Sequence, residues 1–285
     1  MSFAGSAESI WQAVMALQQP TLAGFSVEVL PEIDSTNTEL MRRARAGRTE
    51  PTLLVAEQQS AGRGRLGRAW ASQVGQSLTF SLGLLLHPAA WDGLSLAVGT
   101  SVAGSLHASI QLKWPNDLWV NGRKLAGILI ETTQVGVARY AVIGVGVNIL
   151  PRPAQGLSTP PASLQELLPQ TTPAQALERV AAPLLRDLLL FEREGFTAFA
   201  SRFAARDALA GCSVVVMDVV QGAVVPCAQD GLQGKAPVAL EGVAQGVNSS
   251  GALLVHTAHG VRAVSSSEVS VRPVPHLPTS AGEAL

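Results

Sequence analysis

The sequence predicts an α+β protein: a mixed β-sheet flanked by helices over residues 1–210, a small β-barrel over 211–273 and a disordered tail over 274–285. Three observations carry this. The 285 residues are enough for one large and one small core. Apolar residues make up 47% against 14% charged, the balance of a globular chain. At Gly211 the pattern changes from strand-like runs alternating with helical periodicity to short Val-rich segments separated by Gly-containing turns.

Residues 6–18 have the amphipathic spacing of a short helix, ended at Pro20. Residues 27–33 alternate as a strand does. Asp34-Ser35-Thr36-Asn37 supplies N-cap residue types and Glu39 lies in the first turn, so a helix is expected over 37–46, stopped by Gly47. The apolar run 52–57 predicts a buried strand. A loop over 58–70 and a strand over 77–86 follow. Residues 93–110 predict a helix with small residues on one face. Strand pieces at 112–114 and 118–120 flank Pro115, and Asn121-Gly122 is a hairpin turn signal. Strands over 124–131 and 140–149 are expected to pair. Residues 150–173, rich in Pro, Ser, Thr and Gln, form a long loop, and 173–209 carries Leu and Phe at helical spacing. No internal repeat is present.

The formal net charge is −1, so no global positive field exists to hold DNA or an acidic membrane, and any basic site must be local. Cys212 and Cys227 form no CxxC pair, and the five histidines are scattered. His256 and His259 are spaced like half a metal site without a second half, so they are expected to be surface imidazoles and no protein metal site is expected. The N-terminus lacks a signal peptide's basic start and apolar stretch. No run of about 18 apolar residues occurs, so no membrane span is expected. Cysteine usage fits a reduced, cytoplasmic protein.

The stretch Gly62-Arg63-Gly64-Arg65-Leu66-Gly67-Arg68 is the most informative. Gly lets the backbone approach a ligand, and Arg offers a fork of donors to phosphate or carboxylate. The GxGxxG spacing raises a dinucleotide site. That site needs a helix opening at the loop and an acidic residue about 20 positions on, and neither is present. No GK[ST] follows, so it is not a Walker loop. An anion-binding loop and a solvated basic loop both remain open.

Lys113-Trp114-Pro115-Asn116-Asp117 precedes the hairpin, and Lys124 to Glu131 follows it. Polar groups set in apolar strands need partners if buried. Lys124 enters an apolar strand just after a turn, where it can present a point charge to a pocket. It can equally form a structural pair with Asp117 across the hairpin.

Four blocks taken together resemble the biotin protein ligase family, of the monofunctional type without an N-terminal DNA-binding domain. They are DSTN at 34–37, GRGRLGRAW at 62–70, KWPNDLWVNGRKLAGILIE at 113–131 and IGVGVN at 143–148. GALLV at 251–255 and SEVSVR at 267–272 extend the resemblance through 26–273. The chain departs from the family pattern at Asn248, often Asp, and at Leu66, often Arg. The resemblance implies the biotin/lipoate ligase catalytic fold with an SH3-like barrel. It implies two-step chemistry: biotin and ATP, with Mg2+, give biotinyl-adenylate, and a lysine of a carboxylase's biotin carboxyl carrier domain then takes the biotin. Ser35, Thr36, Asn37, Gln59 and Gly127 would line the biotin ring system. Arg63, Gly64 and Arg65 would fold over carboxylate and phosphate, and Lys124 would bridge the biotin carbonyl and the phosphate. Arg68, Trp70, Lys113, Asn116, Asn148 and Arg272 fall on the nucleotide side. Asp117 would orient Lys124 or take the acceptor lysine's proton. A lipoate-type ligase is the alternative, and a biotin-responsive regulator a third reading. The residues ahead of the first strand are too few for a winged helix, so no specific DNA binding is expected. A homodimer is left open.

Overall fold

The computed structural model describes residues 3–136, 138–155, 157, 159–220, 223–226, 240–265 and 269–274. Nearly all of the tail expected over 274–285 lies outside them. The chain divides into two compact units: one runs to Ala208 and includes Ser249–Gly251, and the other takes Leu209–Asn248 and continues from Ala252.

The first unit contains, in order, α1 (Phe3–Met15), β1 (Ser26–Ile33), α2 (Thr36–Arg45), β2 (Thr52–Gln59), β3 (Ser77–Leu86), α3 (Leu94–Leu106), β4 (Gln111–Lys113), β5 (Asp117–Val120), β6 (Arg123–Val135), β7 (Ala138–Asn148), α4 (Pro173–Glu194) and α5 (Ala200–Ala204). Its strands form one seven-stranded sheet in the order β1-β2-β3-β7-β6-β5-β4. The β1–β2 pair is parallel and the others are antiparallel, so the sheet is mixed.

Several expected helix limits shift, each for a local reason. The helix expected over 6–18 lies over Phe3–Met15, and Gln18 turns left-handed (φ 52) ahead of Pro20. α3 stops at Leu106 because His107 is extended. The single helix expected over 173–209 is broken at Gly195 (φ 64) into α4, a 3-10 turn and α5. The N-cap of α2 falls on Ser35, whose Oγ accepts from the Thr38 N–H.

The two faces of the sheet differ in character, and this difference positions the site. One face carries Leu78, Phe80, Leu82, Ile128, Ile143, Val145 and Val147, all buried. α3 lies against this face, and Gly99 lets it come close: a Cβ there would meet Leu112 at 3.2 Å and Ile128 at 3.4 Å. On the other face α2 packs Leu40, Met41 and Ala44 onto Leu54, Tyr140 and Val142. Truncating a fully buried Leu such as Leu40 to Ala costs about 2–5 kcal/mol, so this cluster fixes α2 and its N-terminus on the sheet. Beyond the cluster the face becomes small and polar. Ser81 faces Gly144, Thr79 faces Gly146, Ser77 faces Asn148, and Gly146 faces Gly127. Apart from Leu129, which faces Gly144, these rows carry small or polar side chains, so side chains from neighbouring loops can lie flat on them.

The second unit holds β8 (Ser213–Val220), β9 (Ala223–Pro226), β10 (Leu240–Val247), β11 (Leu253–Thr257), β12 (Gly260–Val264) and β13 (Val269–Pro273). They pair antiparallel in the order β12-β11-β10-β8-β13, with β9 also on β8. Alternate residues Val214, Val216, Val255, Val269 and Val271 are buried, as a small SH3-like unit requires. Among the described residues no helix is long and apolar enough to cross a membrane.

Candidate active site

The site begins at the N-terminus of α2. The Thr36 backbone N–H donates to Gln59 Oε1 at 2.8 Å, which ties the helix start to the end of β2. Thr36 Oγ1 lies 2.6 Å from Ser81 Oγ, and Ser81 Oγ lies 2.6 Å from Asn37 Oδ1. Asn37 Nδ2 donates to Leu129 O at 3.2 Å and to Glu131 Oε2 at 3.0 Å. The side chain of Asn37 occupies the space above Gly144, where any Cβ would overlap its Oδ1. Ser35, Thr36, Asn37 and Gln59 therefore stand together at one end of the polar stretch.

The Gly-Arg loop folds into an arch closed by its own backbone hydrogen bonds. Trp70 N–H donates to Gly62 O at 2.8 Å and Gly64 N–H to Arg68 O at 2.7 Å. Gly62 is required, since a Cβ would overlap the Trp70 carbonyl. Leu66 (φ 59, ψ 34) and Gly67 (φ 71) turn the tip in the left-handed region, which costs a non-glycine residue about 1–3 kcal/mol. Arg63 leans toward α2: its Nε donates to Thr38 Oγ1 at 3.1 Å and a terminal nitrogen pairs with Glu131 at 2.6 Å. Arg65 leans the other way and donates to Asn116 Oδ1 at 3.3 Å. Burial lowers the pKa of its guanidinium, Asp117 opposes that shift and Arg68 adds to it. Arg68 is exposed. The Trp70 ring lies on the sheet at the Gly146–Gly127 pair: a Cβ on Gly146 would overlap the ring, and one on Gly127 would touch it at 3.5 Å.

The hairpin of β5 and β6 supplies the remaining charges. Asn121 (φ 49) and Gly122 (φ 72) form its turn. Leu118 faces Ala126 but Trp119 faces Lys124, so β6 carries one extra residue, Leu125, which is fully buried. Simple alternation would put Lys124 on the face opposite Gly127. The bulge re-aims it. Lys124 Nζ pairs with Asp117 Oδ1 at 2.7 Å and hangs 3.3 Å from where a Gly127 Cβ would be. Lys113 faces Asp117 across β4–β5 and lies over the Trp119 ring at 5.7 Å. Burial drops its pKa from 10.5 to about 8, with Asp117 opposing and Lys124, Arg68 and Arg65 adding. Four cations thus gather around one carboxylate, which favours a polyanionic ligand.

Asn148 sits at the far end of the polar stretch. Its Nδ2 donates to Lys124 O at 3.2 Å and Ala162 O at 3.1 Å, while its buried Oδ1 has no hydrogen-bond partner among the described residues. Arg272 belongs to the second unit, on β13 opposite Val215.

Sequence reasoning missed four residues here. Ser81 and Thr38 looked like ordinary strand and helix positions. Glu131 was visible only as the end of an apolar strand. Arg152, in the Pro-rich loop, lies 5.6 Å over the Trp70 ring, and nothing in its local sequence marked it. Among the described residues no group of His, Cys, Asp and Glu side chains is placed to hold a metal ion.

Fold and site together define a protein of the biotin/lipoate ligase class. Residues 29–148 match the biotin/lipoate A/B protein ligase family, and residues 233–272 match the biotin protein ligase C-terminal domain. The biotin–acetyl-CoA-carboxylase ligase of Paracoccus denitrificans is 30% identical over 263 residues, covering 85% of this chain and 98% of that protein. The bifunctional ligase/repressor BirA of Escherichia coli is 41% identical over 206 residues, covering 65% of this chain and 60% of that protein. Among solved structures, a biotin protein ligase from Aquifex aeolicus in complex with biotin and ATP matches with a TM-score of 0.70 at 26% identity, over 87% of this chain and 99% of that one. The chain belongs to the biotin protein ligase family. It spans 60% and 59% of the lengths of the two ligase/repressors first matched.

Proposed function

We propose that this chain is an ATP-dependent biotin protein ligase that charges a lysine of a carboxylase's biotin carboxyl carrier domain. The observation that carries the reading is a division of chemistry along one sheet face. Neutral hydrogen-bonding groups (Ser35, Thr36, Asn37, Gln59) stand at one end, and a cationic cluster (Lys124, Lys113, Arg65, Arg68) stands at the hairpin. A ureido ring with a carboxylate tail, reacting with a triphosphate, needs both in that order.

In the first step a biotin carboxylate oxygen attacks the α-phosphorus of ATP and pyrophosphate leaves. In the second the neutral amine of the acceptor lysine attacks the acyl carbon and AMP leaves. Neither step needs an enzyme nucleophile, so positioning and charge neutralisation do the work. Lys124 would bridge the biotin carbonyl and the phosphate, with Asp117 holding it on Gly127. Arg65, docked on Asn116 beside the cluster, would close over the adenylate with Gly64 and Arg68, and Lys113 would meet the polyphosphate. Arg63, tied to Thr38 and Glu131, is assigned to the biotin end. Trp70 would cover the adenylate, and Asn148, whose Oδ1 is unpaired among the described residues, suits an adenine amino group. Arg272 is carried as a nucleotide-side residue on the family resemblance alone.

Mg2+ would travel on the ATP phosphates. The carboxylates present do not form a cage for it, since Asp117 is paired with Lys124 and Glu131 with Arg63 and Asn37. The cytoplasm is the proposed compartment.

Incubation with ATP, Mg2+, biotin and a carrier domain should add one biotin mass to the carrier. Pyrophosphate release without biotin, or preferential transfer of lipoate, would sink the reading. A nanomolar band shift with operator-like DNA at physiological salt would add the regulator role.

A further inference from the structure

Ser81 is fully buried on β3 and lies within 2.6 Å of both Thr36 Oγ1 and Asn37 Oδ1. A serine hydroxyl has one hydrogen, as does a threonine hydroxyl, so the hydrogens can be counted. Asn37 points its Nδ2 at two oxygens, Leu129 O and Glu131 Oε2. Its Oδ1 must therefore face Ser81 and accept from it. That spends the only Ser81 hydrogen. The short Ser81–Thr36 contact then takes its hydrogen from Thr36. The hydrogens run in one direction, Thr36 to Ser81 to Asn37 to Glu131, and end on a carboxylate that Arg63 also holds.

This direction has a consequence at the ligand end. Thr36 Oγ1 is 3.1 Å from Gln59 Oε1, and the hydrogen that could have joined them now lies on the Ser81 side. Gln59 Oε1 already accepts from the Thr36 backbone N–H and keeps a second lone pair. Two oxygens 3.1 Å apart with no hydrogen between them repel, a cost that an incoming N–H donor removes.

Building on the biotin ligase reading above, we propose that the buried relay Ser81–Asn37–Glu131 determines specificity by making Thr36 and Gln59 a pair of acceptors for the two ureido N–H groups of biotin. A lipoyl dithiolane has no N–H to give and would leave the repulsion in place. Ser81 touches no ligand and acts through Thr36, so it is a positioning residue. Without its hydroxyl, the Thr36 hydrogen swings to Gln59 Oε1 and fills the lone pair meant for the ligand.

The test is calorimetric titration of the full chain with three probes: biotin, a biotin analogue methylated on the ureido nitrogen that meets Gln59, and ATP. Ser81→Ala should bind biotin about tenfold more weakly, bind the methylated analogue within about twofold of wild type, and bind ATP as wild type does. Ser81→Thr keeps the hydroxyl and should restore biotin affinity. If Ser81→Ala binds no ATP, the comparison passes to Ser81→Cys, which fills the same space with a poor hydrogen-bond donor and acceptor and should show the same selective loss. Undiminished biotin affinity in Ser81→Ala overturns the proposal, as does an equal loss for biotin and its analogue, or failure of Ser81→Thr to rescue. If the wild-type chain itself fails to bind biotin, it is the ligase reading that falls.

Discussion

Lys124 Nζ and Asp117 Oδ1 stand 2.7 Å apart on adjacent strands of one hairpin, brought together by a single extra residue in β6. Both are mostly shielded from solvent, so removing either leaves a partly buried charge without its partner. Lys124→Ala removes the charge proposed to meet the developing phosphate and is expected to slow adenylate formation by about 2.7–4 kcal/mol, 100-fold or more. Asp117→Asn keeps the lysine but loosens its anchor. Its loss in biotin-dependent pyrophosphate release should be smaller and should appear mainly in kcat. A loss as large as that of Lys124→Ala would make Asp117 more than an anchor.

Arg65 should behave differently from Lys124. It is docked on Asn116 at 3.3 Å from the tip of a loop already turned at Leu66 and Gly67. Arg65→Gly removes the fork that holds the loop on the hairpin and adds backbone freedom. Adenylate formation is expected to survive while the intermediate escapes and acylates exposed lysines of any nearby protein. Biotinylation of serum albumin should rise for Arg65→Gly and fall for Lys124→Ala. If both lose all activity together, Arg65 acts in the first chemical step.

Lys113 gives a pH signature. Its folded pKa of about 8 is below the ordinary 10.5, chiefly through burial, so the fold disfavours its charged form. Between about 8 and 10.5 the unfolded chain binds more protons, and through this group stability rises with pH across that window. Below it the destabilising charge is fully present. A polyphosphate reverses the preference, so ATP binding at pH 8 should take up on the order of half a proton. Titrations in buffers of different ionisation enthalpy read this directly. The uptake should vanish at pH 6.5 and in Lys113→Met. Equal uptake in that variant would assign the proton elsewhere.

The legible parts of this molecule were those written locally. The helix start announced itself through the N-cap types at 34–37, though not which of them caps, Asn121-Gly122 as a turn through its left-handed tolerance, and the Gly-Arg stretch as a loop through its composition. The bulge that turns Lys124 onto Gly127 was not legible, because strand alternation gives the opposite face and only the pairing register reveals the extra residue. The Ser81 relay was hidden for another reason: it joins residues 44 and 45 positions apart in the chain, and a serine in a strand carries no mark of its partners. Gly195 cut a helix whose apolar periodicity continued past it.

The glycines under Trp70 offer a graded test of how this proposed adenylate cover is seated. The ring lies on Gly146 and Gly127, Arg152 stacks over it at 5.6 Å, and among the described residues its buried indole N–H has no partner. Packing and one cation, not an indole hydrogen bond, therefore hold it. Gly146→Ala puts a methyl where the ring is, and a rigid ring can only move away. Gly127→Ala brings a methyl to 3.5 Å from the ring and 3.3 Å from the end of Lys124, a flexible chain that can yield. Gly146→Ala should therefore raise amide exchange across 62–76 in the ligand-free protein and weaken biotinyl-adenylate binding about tenfold or more. Gly127→Ala should change both by much less. Biotinyl-adenylate should slow exchange over 59–70 in the wild type and in Gly127→Ala, since its carboxyl and phosphate oxygens offset the entropy of ordering three glycines. If Gly127→Ala proves the more damaging of the two, the ring is not seated on Gly146 in the working enzyme, and the cover is held through Lys124 instead.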